Sequence, residues 1–253
     1  MLPWNRRQDA RPPSCRPTRV VAGTSPGRIV AVPGAALPSP PAAYDNAMNK
    51  PADPPASRKT YDRDYFDRWY RRGGIGDRAR LARKVALAVA VAEYHLERPL
   101  RTVLDIGCGE GAWHAPLRKL RPAVRYLGFD ASEYAIARYG RARNLRLARF
   151  GDFAELRPCP PADLLVCSDV LHYLAPRELD RGLPGLAALC GGVAFLETFA
   201  REDRAEGDEH EFRGRPARFY RERFKQLGFT ALGSHCWLAP GLKGSTTALE
   251  SAG

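Results

Sequence analysis

The sequence predicts a doubly wound α/β sheet, and three observations carry that prediction. First, Val103–Ile106 is a short apolar run interrupted by one acid, Asp105. It leads into Gly107-Cys108-Gly109-Glu110-Gly111, and then into apolar residues at helical spacing from Ala112 to Leu120. Strand, glycine turn and helix in that order form the opening unit of a nucleotide-binding sheet. Second, about twenty residues on, at the spacing where such folds hold a ribose, Arg125–Asp130 reads as another strand ending in an acid. Third, strand-like runs at Leu145–Phe150, Ala162–Ser168 and Val193–Phe199 alternate with helix-like runs, as a mostly parallel sheet requires.

The chain before this core divides in two. Residues 1–56 hold 12 of the 22 prolines and show no apolar period. A segment of that composition buries too little to offset its ordering entropy and reads as disordered. Arg6-Arg7 has no apolar segment behind it, so an export signal is not indicated. The composition break near Met48 makes that methionine a candidate start, and an organelle transit peptide is the other reading of the Arg-rich segment. Residues 57–100 read as a helical lid. Tyr61, Tyr65 and Trp69 fall on one helical face, with Tyr70 beside them, and Gly73-Gly74 breaks that helix. The stripe either closes over the site or simply docks on the core. Asp77 caps a second helix reaching about Arg98, whose apolar centre, Val85 to Ala92, is too short to span a membrane.

Beyond the glycine turn, Ser132 caps a helix from Glu133 to Ala142. Pro176 opens another that runs to about Leu189. Gly191-Gly192 reads as a turn into the fifth strand, and Ala217–Leu227 as a helix stopped by Gly228. Thr230–Leu238 and Ser245–Glu250 read as two strands around Pro240-Gly241, the closing hairpin.

The formal charge is +12, and about half of the excess lies in the first sixty residues. The remaining arginines spread along helices rather than forming a stripe, which disfavours a nucleic-acid partner. Six cysteines show no C-x-x-C spacing, so reduced thiols in a cytoplasmic protein are the simplest account. The loop 200–216 carries Glu206, Asp208, Glu209, His210 and Glu211 and lies after the fifth strand. It reads as a solvated loop on the acceptor side, and no metal site is expected.

The glycine loop by itself fits either a dinucleotide or another adenosine ligand. Asp105, two positions before Gly107, would repel a pyrophosphate and suits a ligand with an ammonium group. The ordered set VLDIGCGEG, LGFDAS, GDF and DLLVCSDVLHYL resembles the motifs of class I S-adenosylmethionine-dependent methyltransferases. The resemblance runs from about Tyr61 onward, and Ser-Asp-Val-Leu-His-Tyr after the fourth strand is similar to the small-molecule branch. It implies a Rossmann-like seven-stranded sheet, mostly parallel with an antiparallel C-terminal hairpin. Residues 101–253 would be the cofactor domain for S-adenosyl-L-methionine. It further implies that Asp105, Gly107, Cys108, Gly109 and Gly111 line the methionine end and that Asp130 with Ala131 holds the ribose. Asp152 and Phe153 would take the adenine, and Ser168 the cofactor's flank. The reaction would be methyl transfer to an oxygen, nitrogen or carbon of a small acceptor. His172 is the candidate base, with a purely packing role as its alternative, and Glu197 is a second candidate. Tyr173 joins the lid tyrosines on the acceptor side. A methyltransferase for RNA or protein, or a cofactor-binding protein without turnover, are the competing readings.

Overall fold

The computed structural model describes residues 61–72, 77–203, 208 and 210–247. The segment 1–56, Met48 and the Gly73-Gly74 break lie outside these residues. Seven strands form one sheet: β1 (Thr102–Ile106), β2 (Arg125–Asp130), β3 (Leu145–Leu147), β4 (Ala162–Ser168), β5 (Cys190–Glu197), β6 (Thr230–Gly233) and β7 (Cys236–Leu238). Their order is β3-β2-β1-β4-β5-β7-β6. The first five run parallel, and β7 is antiparallel to both β5 and β6. The order reverses between β1 and β4. In open α/β sheets that switch point, beyond the carboxyl ends of the strands, is where ligands bind.

Alternating side chains build two cores, as a sheet covered on both faces demands. Leu104, Ile106, Leu165 and Cys167 face one side, under α5 (Pro176–Leu189) and α6 (Ala217–Gln226). Val103, Leu164, Val166 and Phe195 face the other, under α2 (Arg78–Leu96) and α3 (His114–Leu120). Between β2 and β3 runs α4 (Glu133–Arg143). Close approach on the α5 side needs glycine: a Cβ on Gly185 would lie 2.0 Å from the Phe153 carbonyl oxygen. At the amino end of the sheet Arg98 grips Asp163 with two hydrogen bonds of 2.9 and 2.7 Å. Asp163 also accepts the Arg101 N–H at 2.7 Å, so one carboxylate joins the α2–β1 turn to β4.

Several boundaries differ from the sequence expectation for local reasons. The third strand stops at Leu147, because Arg149 and Asp152 bond each other's backbone N–H and turn the chain into a 3-10 segment, Phe150–Ala154. Gly191 and Gly192 are inside β5, not a turn before it; a Cβ on Gly192 would strike the Asp163 carbonyl oxygen of β4 at 2.1 Å. The same strand ends at Glu197 rather than Phe199, since the Phe199 N–H turns away to donate to His172 Nδ1. The closing hairpin is β6–β7, folded at Ser234-His235 with φ of 47° and 65°. Both values are positive, as a two-residue type I′ turn requires. Pro240–Ser245 is a 3-10 turn, and the strand expected at 245–250 falls partly outside the described residues. The helix expected from Ala112 begins at His114.

The aromatic segment 61–72 also departs from its expected register. Asp62 caps α1 (Arg63–Phe66), and Asp67–Arg72 continues as a π-helix. A π turn is wider than 3.6 residues, so Trp69 drops out of the line of Tyr61 and Tyr65. Tyr61 and Tyr65 meet edge to face at 5.0 Å. The anchor is Phe66, which is buried and stacked on Tyr134 of α4.

Candidate functional site

The site is built from the carboxyl ends of β1, β2, β4 and β5. After β1, Gly107, Gly109 and Gly111 take φ values of 74°, 54° and 75°. These lie in the left-handed region that only glycine enters without strain. At Gly107 space is limiting as well: a Cβ there would sit 2.2 Å from Val170 Cγ2. Gly107 and Cys108 both donate to the Phe129 carbonyl oxygen, at 2.7 and 3.0 Å. The loop is thereby tied to the end of β2. Cys108 is buried, and burial lifts its thiol well above the ordinary value; it stays a thiol and packs.

Asp105 lies beneath this loop with 2% of its surface exposed. Its Oδ2 accepts the Tyr126 hydroxyl at 2.7 Å, while Oδ1 accepts no hydrogen bond. No buried side-chain oxygen or nitrogen among the described residues lacks a partner. Oδ1 is therefore the point where Asp105 meets solvent. Burial, and secondarily the Asp130 charge, push the carboxyl up to about 7, against the opposing Tyr126 bond. A cation at Oδ1 would restore the ionised form.

Asp130 closes β2. Its Oδ2 accepts the Gly109 N–H at 2.7 Å and its Oδ1 the Ser132 N–H at 2.8 Å. Burial still raises this carboxyl above its ordinary value. Each oxygen keeps a second lone pair for a hydroxyl donor. Ala131 is exposed beside it. Ser132 caps α4 and also donates its hydroxyl to the Tyr61 carbonyl oxygen at 2.6 Å. That bond ties the segment before α1 to the turn after β2.

At the other edge, Lys84 of α2 reaches Glu197 Oε2 with an ion pair of 2.6 Å, and the Ser168 hydroxyl donates to the same oxygen. Burial works to raise this carboxyl, but Lys84 and Ser168 outweigh it and hold it below the ordinary range. Glu197 is thus a paired carboxylate, which makes it a poor general base. Of the two roles expected at His172, base or packing, the geometry favours packing. This ring is 1% exposed and both nitrogens are engaged. Nδ1 accepts the Phe199 N–H at 3.3 Å and lies 3.2 Å from the Thr198 hydroxyl. Nε2 lies 3.2 Å from Asp169 Oδ1. Packed among Tyr173, Phe199 and Phe212, His172 knits the β4 and β5 exits together and offers no nitrogen to a substrate.

The pair expected on the adenine side is divided. Asp152 is exposed, with Oδ2 accepting the Arg149 N–H. Phe153 is fully buried, edge-on to Phe129 at 5.4 Å, so its ring is core and has no open face for an adenine. Tyr173 donates to the Asp208 carbonyl oxygen at 3.0 Å, joining the β4 exit to the 200–216 loop. Tyr65 and Trp69 are half-buried in the segment 61–72, and Tyr70 lies in its π-helical part. Lys84, Tyr126 and Val170 were not singled out from sequence. Lys84 sits in an alanine-rich helix 113 positions from its partner, a separation that no local pattern reports. Tyr126 was legible only as a strand aromatic. Among the described residues no cluster of His, Cys, Asp or Glu could hold a metal ion, and no helix is long and apolar enough to cross a membrane.

Residues 104–192 match the family model described as "Methyltransferase domain". A stretch of 113 residues is 36% identical to a trans-aconitate 2-methyltransferase of Deinococcus radiodurans, covering 43% of this chain and 42% of the relative. The match thus spans less than half of that relative's length. Two solved structures share the fold at a TM-score of 0.53. One is the magnesium protoporphyrin IX methyltransferase of Synechocystis PCC 6803 with bound SAH, 20% identical over 71% of this chain and 96% of that one. The other is DesVI of Streptomyces venezuelae, 16% identical over 70% and 97%.

Proposed function

We infer, from the methyltransferase-domain match over residues 104–192 and the likeness to a trans-aconitate 2-methyltransferase, a class I S-adenosylmethionine-dependent enzyme that transfers the cofactor's methyl group to a small-molecule acceptor. The observation that carries this reading is the pairing of Asp105 with the glycine loop. A nearly buried carboxylate opens one oxygen beneath three left-handed glycines. That arrangement favours an ammonium group and close backbone approach, and disfavours a pyrophosphate. Asp105 would hold the ammonium, Asp130 the ribose hydroxyls, and the Gly107–Gly111 backbone the chain between them. When bound, the cofactor supplies an electrophilic methyl on a sulfonium, a leaving group that needs no acid. The protein's part is binding, orientation and exclusion of water.

A small acceptor is supported by the names of the relatives, trans-aconitate and magnesium protoporphyrin IX. A cytoplasmic setting accords with cysteines whose thiols burial holds protonated. The test is incubation of the full chain with S-adenosylmethionine and a panel of small metabolites, read by mass spectrometry for acceptors that gain one methyl. Turnover of the cofactor with some panel member supports the reading. Cofactor binding with no methyl lost under any acceptor would assign a non-catalytic role. A polymer acceptor is the second reading. It rests on Arg138, Arg141, Arg143, Arg146 and Arg149, which occupy α4 and the β3 edge with no acid between 134 and 151. Steeply salt-dependent RNA binding would favour it.

A further inference from the structure

Glu197 ends β5 with 6% of its surface exposed. Both hydrogen bonds to its carboxylate, from Lys84 and from Ser168, end on Oε2. Oε1 accepts none. Since no buried side-chain oxygen or nitrogen among the described residues lacks a partner, Oε1 is where this residue meets solvent. The result is a carboxylate fixed from two elements and open through one oxygen at the carboxyl end of the sheet. Held ionised by Lys84, it binds a hydrogen-bond donor strongly and takes up a proton poorly.

The charges acting on the Glu197 carboxyl itself are Lys84 and His235, while acids line the β4 exit beside it. Asp169 stands against His172 in the β4 exit. Arg213 donates its N–H to the His172 carbonyl oxygen, and Phe212 packs on the same ring, which brings Glu211 to this exit. The Tyr61 hydroxyl lies in the combined field of Glu211, Asp130, Asp208 and Asp169. Of the cations near this exit, Lys84 is paired with Glu197, His235 adds its field to the same carboxyl, and Arg215 donates to the carbonyl oxygens of Leu171 and Leu174 at 3.2 and 2.6 Å.

These features select among acceptors. A carboxylate would bring negative charge against several fixed carboxylates. An alcohol needs a base to take its proton, yet His172 and Glu197 are both engaged. An amine needs none, because it exposes its lone pair after losing one proton to solvent. We propose that the acceptor is an amine, bound by donating an N–H to Glu197 Oε1; this rests on the methyl-transfer reading above. The nitrogen lone pair forms the new N–C bond, and the C–S bond breaks with its electron pair left on sulfur. The product ammonium then releases its proton to water.

The test uses the full chain saturated with S-adenosylhomocysteine, that saturation being verified separately by calorimetry. Saturation-transfer NMR then compares benzylamine and phenethylamine with benzoate and phenylacetate. The amines are expected to bind and the carboxylates not. Glu197→Gln should weaken amine binding about tenfold, the scale of one charge-assisted bond, with cofactor affinity within about threefold. Asp169→Asn, which tolerates that residue's φ of 64°, provides a second reduction if the Gln variant folds poorly. Absence of amine binding, preference for the carboxylates, or amine binding unaltered in both variants would overturn the proposal while leaving the cofactor reading intact. Failure to bind S-adenosylhomocysteine would instead overturn the reading beneath it.

Discussion

Asp105→Asn separates stability from function at one atom. The variant keeps the side chain's shape and an oxygen for the Tyr126 hydroxyl, and removes the charge. Burial pushes the wild-type carboxyl up to about 7 from an ordinary 3.8. A folded-state pKa above the unfolded value means that the folded protein binds this proton more tightly. The contribution of Asp105 to wild-type stability is therefore greatest below about pH 4, falls as pH rises toward 7, and levels off above. Three pKa units amount to about 4 kcal/mol. Asp105→Asn should match wild type at pH 4 and exceed it by about 4 kcal/mol at pH 8, roughly 8–16 °C in melting temperature for a chain of this size. Urea unfolding across that pH range reads the difference directly. The same substitution should cost at least about a hundredfold in affinity for S-adenosylmethionine, since the ammonium loses its charged partner. In wild type that affinity should rise about tenfold from pH 6 to 8 as Asp105 ionises. A variant no more stable than wild type at pH 8, or one that retains wild-type affinity, would refute the reasoning.

Three further substitutions bear on separate parts of the account. Gly107→Ala places a Cβ 2.2 Å from Val170 in a left-handed backbone; cofactor binding measured by calorimetry should be lost, and Val170→Ala in the same chain should restore only part of it. Lys84→Met leaves Glu197 buried without its cation, so thermal unfolding at pH 7 should show a loss of about 3 kcal/mol. Glu197 sits below its ordinary range with Lys84 present, so this contribution is present at neutral pH and fades as pH falls through that lowered value. The variant's deficit should shrink with it. His172→Gln should lower the melting temperature through lost packing while leaving the turnover number within about threefold; a collapse of turnover in a folded variant would return the base role to His172.

The parts of the fold visible in the sequence were those with local causes. The β2 and β4 boundaries, the Asp77 and Ser132 caps and the proline-initiated α5 follow from short-range patterns that tertiary contacts did not override. The misplaced boundaries have distant causes. Gly191-Gly192 reads as a turn locally but is strand because β4 backbone lies 2.1 Å from where a Cβ would be. The Ser234-His235 hairpin lacks the usual Asn-Gly or Asp-Gly sequence, and its register is set by pairing to β7 and, through it, β5. Within the site, Asp105 and the glycines were legible because their chemistry is written in consecutive residues. Glu197 was visible as a residue and not as half of a pair, since Lys84 arrives from another helix. Sequence position left His172 open between base and packing and put Phe153 beside the adenine; the burial of both side chains, Phe153 against Phe129 and His172 among three rings, is a tertiary fact that no local pattern reports.

The central claim is that the loop after β1 binds a cationic adenosine cofactor rather than a dinucleotide. Isothermal calorimetry of the full chain with S-adenosylhomocysteine, S-adenosylmethionine and NADH tests it most directly. Dissociation constants on the order of micromolar are expected for the first two, tightening from pH 6 to 8, with no heat from NADH. A folded protein that binds NADH, or binds none of the three, would contradict it.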